Sequence, residues 1–180
     1  MPIAKQGLDG LCGVYSLVNV YNALFVTSAN KNTELFSELI RAIPKRHFPN
    51  VIIDGLDSTL LLRLINKFIK YCDDGNITIK CDQLLQENEN KRGFINKLRS
   101  YLICNGDSRP RVVLVGIEGC INHWSVIYIC KNKLVGLWDS GPMRAIKFKD
   151  LGVGNNAHMP YTIVRNEVWG FRLKPVNKSS

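Results

Sequence analysis

Cys12 stands between Leu11 and Gly13, just after the turn-like run Gly7-Leu8-Asp9-Gly10 and at the first position of an apolar stripe. A cysteine at a helix start is in the best place to become a nucleophile, because unpaired backbone N–H groups and the helix dipole favour the thiolate. Gly13 carries no side chain and is expected to leave room at the sulfur. Gln6, six positions before Cys12, is spaced to offer its side-chain amide, beside the Cys12 backbone N–H, to an oxyanion formed when a carbonyl is attacked.

A thiol also needs a base. His123 opens a strand-like run immediately after the loop Glu118 to Asn122, so its ring can project from a sheet edge while the strand anchors it. There it can take the cysteine proton and form a thiolate–imidazolium pair. Asp139 follows sixteen residues later, at the end of the next strand, where a carboxylate can accept the second ring N–H and fix the tautomer. Asp9 and Asp150 are weaker substitutes, and Asp139 also starts a turn, Asp139-Ser140-Gly141-Pro142. The other histidines, His47 and His158, lie among proline-bearing loops and read as solvated or structural.

The elements that must position these groups fall into two halves. From Cys12, the residues Val14, Leu17, Val18, Tyr21, Leu24 and Phe25 form one helical stripe. A second helix is expected from Thr33, as N-cap, to just before Pro44, and a third from Asp57 or Ser58 through Ile69. A fourth is expected around Asn90 to Cys104, with Gly106 as terminator. After Pro110 come short runs rich in valine, isoleucine and aromatics: Arg111 to Ile117, His123 to Cys130 and Lys133 to Trp138, the last two joined as a hairpin near Lys131-Asn132. Weaker strands are expected near Ala145 to Phe148 and from Glu167 to Leu173. The expectation is an α+β fold, with a helical N-terminal half (about 1–108) packed on a C-terminal antiparallel β-sheet (about 109–175), forming a single domain over 1–180.

Composition narrows the setting. With 46% hydrophobic and 22% charged residues among 180, the chain can fill a core without staples, so its six cysteines are expected to be mostly reduced. Cys104, Cys120 and Cys130 read as small buried hydrophobes, while Cys72 and Cys81 flank a turn and can pair in an oxidising setting. No C-x-x-C pair occurs and no ligand spacing is seen, so no metal and no cofactor are expected. No signal peptide or membrane-spanning run is read, which gives a soluble, cytoplasmic expectation, with unconventional delivery out of the cell or excision from a longer precursor left open. The charge of +9 is scattered. With no aromatic-basic motif beside it, it reads first as a solvated basic surface; an acidic partner stays open, and nucleic acid is not expected.

The segment Gln6-Gly7-Leu8-Asp9-Gly10-Leu11-Cys12-Gly13, followed by His123-Trp124 entering a strand and Asp139 ending the next, resembles the papain-like cysteine peptidase superfamily. The style is closest to its compact C39-like and Josephin-like branches. The resemblance is anchored in residues 6–25 and 121–142. It implies Cys12 as nucleophile, His123 as general base and then acid, Asp139 as the orienting residue and Gln6 in the oxyanion hole, with Gly13, Trp124 and Asn122 beside the substrate. It departs from papain in showing no recognisable propeptide and no second tryptophan-rich motif, and in carrying aspartate where asparagine is usual. Three functions are carried forward. One is a thiol hydrolase cleaving an amide or isopeptide bond in a protein or peptide. The second is a deamidase or transamidase of the same fold, acting as a toxin or effector with a cognate inhibitor protein. The third is a non-catalytic basic binding module.

Overall fold

The computed structural model describes residues 9–25, 27–73, 77–86, 88–103, 108–154 and 158–175. Gln6, Cys104 and Gly106 lie outside them. The helices are α1 (Cys12–Leu24), α2 (Ala29–Ala42), α3 (Asn50–Asp54), α4 (Ser58–Cys72) and α5 (Lys91–Ile103). The strands are β1 (Ile77–Gln83), β2 (Arg111–Gly119), β3 (His123–Lys131), β4 (Leu134–Trp138), β5 (Ala145–Lys147), β6 (Leu151–Val153) and β7 (Tyr161–Pro175). The sheet runs β1-β7-β2-β3-β4-β5, and β6 pairs with β7 off that path. All pairings are antiparallel except β6 on β7. The chain is α+β, with helices gathered in its N-terminal half against a mainly antiparallel C-terminal sheet. Among the described residues no helix is long and apolar enough to cross a membrane.

The alternation of β2 explains how the helices are distributed. Val112 and Leu114 turn to one face of the sheet, where they join Leu17, Leu61, Phe68 and Phe171 under α1, α2 and α4. Val113, Val115 and Ile117 turn to the other face and meet Phe94, Ile95 and Leu98 of α5. Both faces of the central strands are therefore apolar, as a sheet covered on both sides requires. The N-terminal half is thus divided, with α5 on the opposite face from α1.

Several boundaries differ from those read in the sequence. The second helix begins at Ala29 and not at Thr33, because Ser28 is the N-cap and accepts a bond from the Lys31 N–H at 3.5 Å. The Thr33 hydroxyl, one turn in, bonds back to the Ala29 carbonyl. The strand β1 falls inside the segment expected to be helical. Ile77, Ile79 and Cys81 alternate with Thr78, Lys80 and Asp82, a period-2 pattern too weak to read beside a turn, and β7 supplies its one partner. β7 is also far longer than Glu167 to Leu173, since a long strand can pair β2 along its length and take β1 and β6 on its other edge. The register of β2 and β7 shifts between Val115 and Ile117. Glu167 fills the space over Gly116 that a side chain would take there, and its Oε1 accepts from the Ser58 hydroxyl at 2.6 Å.

The thiols separate by burial. Cys12, Cys72 and Cys130 are buried, Cys81 is intermediate and Cys120 is exposed, so Cys120 is not the core residue expected. It lies in the turn between β2 and β3, where its flanking apolar runs have already ended. Cys72 and Cys81 are both free, and burial pushes each thiol up to about 12.

Candidate active site

Cys12 is the first residue of α1, a helix buried along nearly its whole length between α2, α4 and the sheet. Two features leave the first turn of this helix without an acceptor of its own. Its N-cap, Leu11, has no side-chain acceptor, and its first turn contains no acidic residue. The chain is led into it by Asp9, whose carboxylate accepts from the Leu11 N–H at 2.9 Å, and by Gly10, whose N–H donates to the Ile52 carbonyl at 2.6 Å. Gly10 must be glycine here, because a Cβ would stand 2.8 Å from the Val51 carbonyl oxygen and 2.7 Å from the Gly55 nitrogen. Cys12 is 7% exposed, and its sulfur lies 3.9 Å from the Gly10 carbonyl. A thiolate formed at this position lies at the positive end of the helix dipole, which it shares with the Asp9 carboxylate.

His123 begins β3, opposite Ile117 of β2. Asp139 follows the last residue of β4, and since Trp138 pairs with Val126, the hairpin carries Asp139 back alongside Ser125 and His123. Nε2 of His123 and Oδ2 of Asp139 are 2.9 Å apart, with the aspartate almost completely buried. Neither atom has a well-directed hydrogen bond, so the contact is that of a close ion pair approached off the bond axis. The other carboxylate oxygen accepts from the Gly141 N–H at 2.7 Å. Arg144 ties the same turn together, donating to the Gly141 carbonyl at 2.7 Å and to the Asp139 carbonyl at 3.4 Å.

Electrostatics follow from this packing. Burial alone drives His123 toward its neutral form, but Asp139 on one side and Cys12 on the other more than reverse that. Together they raise the imidazolium pKa to about 9. Burial likewise opposes ionisation of Asp139, yet His123, the Ser125 hydroxyl and the Gly141 N–H outweigh it and hold the carboxylate below its ordinary value. With Asp139 on the Nε2 side, Nδ1 is the ring nitrogen left to Cys12. A thiol, an imidazole and a carboxylate in this order can move a proton from sulfur to nitrogen while the carboxylate steadies the resulting cation.

The structure thus brings together Cys12, His123 and Asp139 from α1, β3 and the end of β4. It treats the residues expected around the substrate differently. Gly13 is buried, and a Cβ there would meet Leu56, Leu61 and Trp124, so the missing side chain makes room for core packing and not for a substrate. Trp124 is buried as well. Its indole N–H donates to the Leu56 carbonyl at 2.9 Å, and its own carbonyl accepts from the Ser16 hydroxyl at 2.9 Å. Trp124 therefore fastens β3 to α1 and to the loop before α4. Asn122 is exposed in the turn before β3. Ser125 was not singled out from the sequence, although its position two residues after His123 puts it on the same strand face. It is fully buried; its hydroxyl makes no well-directed hydrogen bond among the described residues, but it stands close enough to the Asp139 carboxylate to help hold it ionised.

No protein-family model matches the chain, and no curated protein matches it. Among solved structures, a similar chain is the double glycine motif protease from an AMS/PCAT transporter, crystallised in complex with the leader peptide. It is 14% identical, the match covers 96% of this chain and 91% of that one, and the TM-score is 0.46. A likeness this loose carries nothing about chemistry, which rests on the site itself.

Proposed function

We propose that this chain is a papain-like thiol hydrolase that cleaves an amide or isopeptide bond in a protein or peptide through an acyl-enzyme on Cys12. One observation carries the reading. His123 is flanked by the Cys12 thiol and the Asp139 carboxylate, and the two raise its pKa to about 9. At neutral pH the ring can therefore carry a proton as imidazolium, ready to pair with the sulfur when it attacks from the start of α1.

In the acylation step the Cys12 sulfur bonds to the carbonyl carbon. The developing oxyanion is met by the Cys12 backbone N–H and, as the resemblance implies, the Gln6 amide. His123 then gives its proton to the leaving nitrogen as the C–N bond breaks, and the amine departs. In deacylation His123 takes a proton from water, the hydroxide oxygen attacks the thioester carbon, and the C–S bond breaks to return the thiolate. Asp139 keeps the ring oriented through both steps.

Iodoacetamide labelling near pH 6, read by mass spectrometry of peptides, tests the nucleophile. Cys12 should alkylate rapidly, while Cys72 and Cys81, with thiols at about 12, should not. Cys12→Ala should abolish hydrolysis of a peptide library, and unchanged hydrolysis in that variant would sink the proposal.

A further inference from the structure

We propose that a groove between α5 and the turn after β5, on the sheet face opposite α1, is a docking site for an acidic peptide segment of a partner protein. The groove encloses about 710 Å³ and is lined by Lys91, Arg92, Ile95, Arg99, Phe148 and Lys149, with Asn96 beside them. Four of these are cations, and among the described residues none of the four is in an ion pair. The acidic residues nearby are committed elsewhere or stand apart. Glu89 is bonded to Lys97 at 2.9 Å and to the Gln86 N–H at 3.3 Å, and Asp150, next to Lys149, makes no ion pair with the groove.

The placement of Lys91 and Arg92 is against the interest of α5 itself. They occupy its first turn, where the helix dipole is positive and an acidic residue would be stabilising, yet that turn has no acidic residue. The helix is capped by a neutral group, Asn90, whose side-chain oxygen accepts from the Gly93 N–H at 2.9 Å. Like charge at a positive helix end is a local conflict, and the one carboxylate packed beside that turn, Glu89 next to Gly93, is shared with Lys97. A bound anion would relieve it.

The floor distinguishes between anions. Lys91, Ile95 and Arg99 follow one another at intervals of four, on one face of the helix. The two cations are separated by about 12 Å along the axis, roughly the span of four extended residues, with an apolar residue between them. Carboxylates that far apart, with an apolar side chain between them to meet Ile95, match that pattern. Single-stranded nucleic acid fits less well. The one aromatic ring has the Arg99 guanidinium over it at 5.3 Å and otherwise packs against the core, so no face is offered for a base to stack on.

The test measures binding alone and is independent of catalysis. A fluorescein-labelled peptide alternating glutamate and leucine, a lysine and leucine counterpart, and a short oligothymidylate are titrated with the parent chain at low salt. The same is done with Lys91→Glu/Arg92→Glu and with the control Lys45→Glu/Arg46→Glu, which makes the same charge change at the Lys45–His47 turn. The acidic peptide should bind the parent, the basic one should not, and the α5 double variant should weaken binding by about tenfold or more while the control keeps most of it. The melting temperature of the α5 variant should hold or rise, since its helix end is now complemented. Arg92→Gln, with its smaller perturbation, should show a proportionate loss. The proposal is overturned if the acidic peptide fails to bind the parent, if both double variants lose affinity equally, or if oligothymidylate binds more tightly and is lost in the α5 variant.

Discussion

At the scale of single residues, His123 governs the pH behaviour. Its folded pKa of about 9 lies above the ordinary histidine value, whereas Asp139 lies below the ordinary carboxylate value. For the raised group, the stabilisation is complete below the unfolded value of about 6.5 and is lost as the pH rises through about 9. For the depressed carboxylate, it is present above about 3.9 and is lost as pH falls through the folded value. The pair therefore contributes most between about pH 4 and 6.5. Denaturant titrations should show the stability gap between the parent and His123→Ala narrowing from pH 6 to pH 10. Under the proposed function, kcat/KM should carry an alkaline limb near 9, set by loss of the imidazolium proton. Asp139→Asn should move that limb to lower pH and reduce kcat by about 10²–10⁴-fold. An unmoved limb would mean that the carboxylate does not sustain the cation. Ser125→Ala removes a hydroxyl that helps hold the carboxylate ionised and, since no well-directed bond joins the two, should lower kcat by less than about tenfold with KM little changed.

At the scale of elements, two features set how firmly the site is held. The β3–β4 hairpin turns on Asn132 and Lys133, both with positive φ, at 53° and 59°. This is the tight turn that matches strand twist, and its second position favours glycine over lysine. Lys133→Gly should stabilise the chain by roughly 1 kcal/mol in urea unfolding, because the left-handed conformation is costly for a side chain with a Cβ. A loss of stability would contradict that account. The second feature is the Trp124 indole bonded to the Leu56 carbonyl. Trp124→Phe keeps an aromatic ring in the core but orphans a buried acceptor, so it should cost about 1–3 kcal/mol of folding stability.

At the scale of the whole molecule, the alternating side chains of β2 belong to two cores, one under α1, α2 and α4 and one under α5. The strands are common to both, so loosening either core should loosen the sheet. Phe68→Ala on one face and Leu98→Ala on the other, both nearly fully buried, should each lower the same unfolding transition by about 2–5 kcal/mol with the denaturant slope unchanged. Two separated transitions in either variant would show that the faces unfold independently. By itself the sequence determined what depends on near neighbours. The stripes of α1 and α4, the turn between β3 and β4, and the order of cysteine, histidine and aspartate were legible because helix and strand periods are written within a few residues. The tertiary structure alone decided which of those groups meet. It put α5 on the far face of the sheet, drew β1 out of the helical half to pair with β7, and filled the space at Gly13 with Leu56, Leu61 and Trp124. It also set Ser125 against Asp139. Such outcomes turn on contacts between residues far apart in the chain, where burial and register, and not local preference, choose the partner.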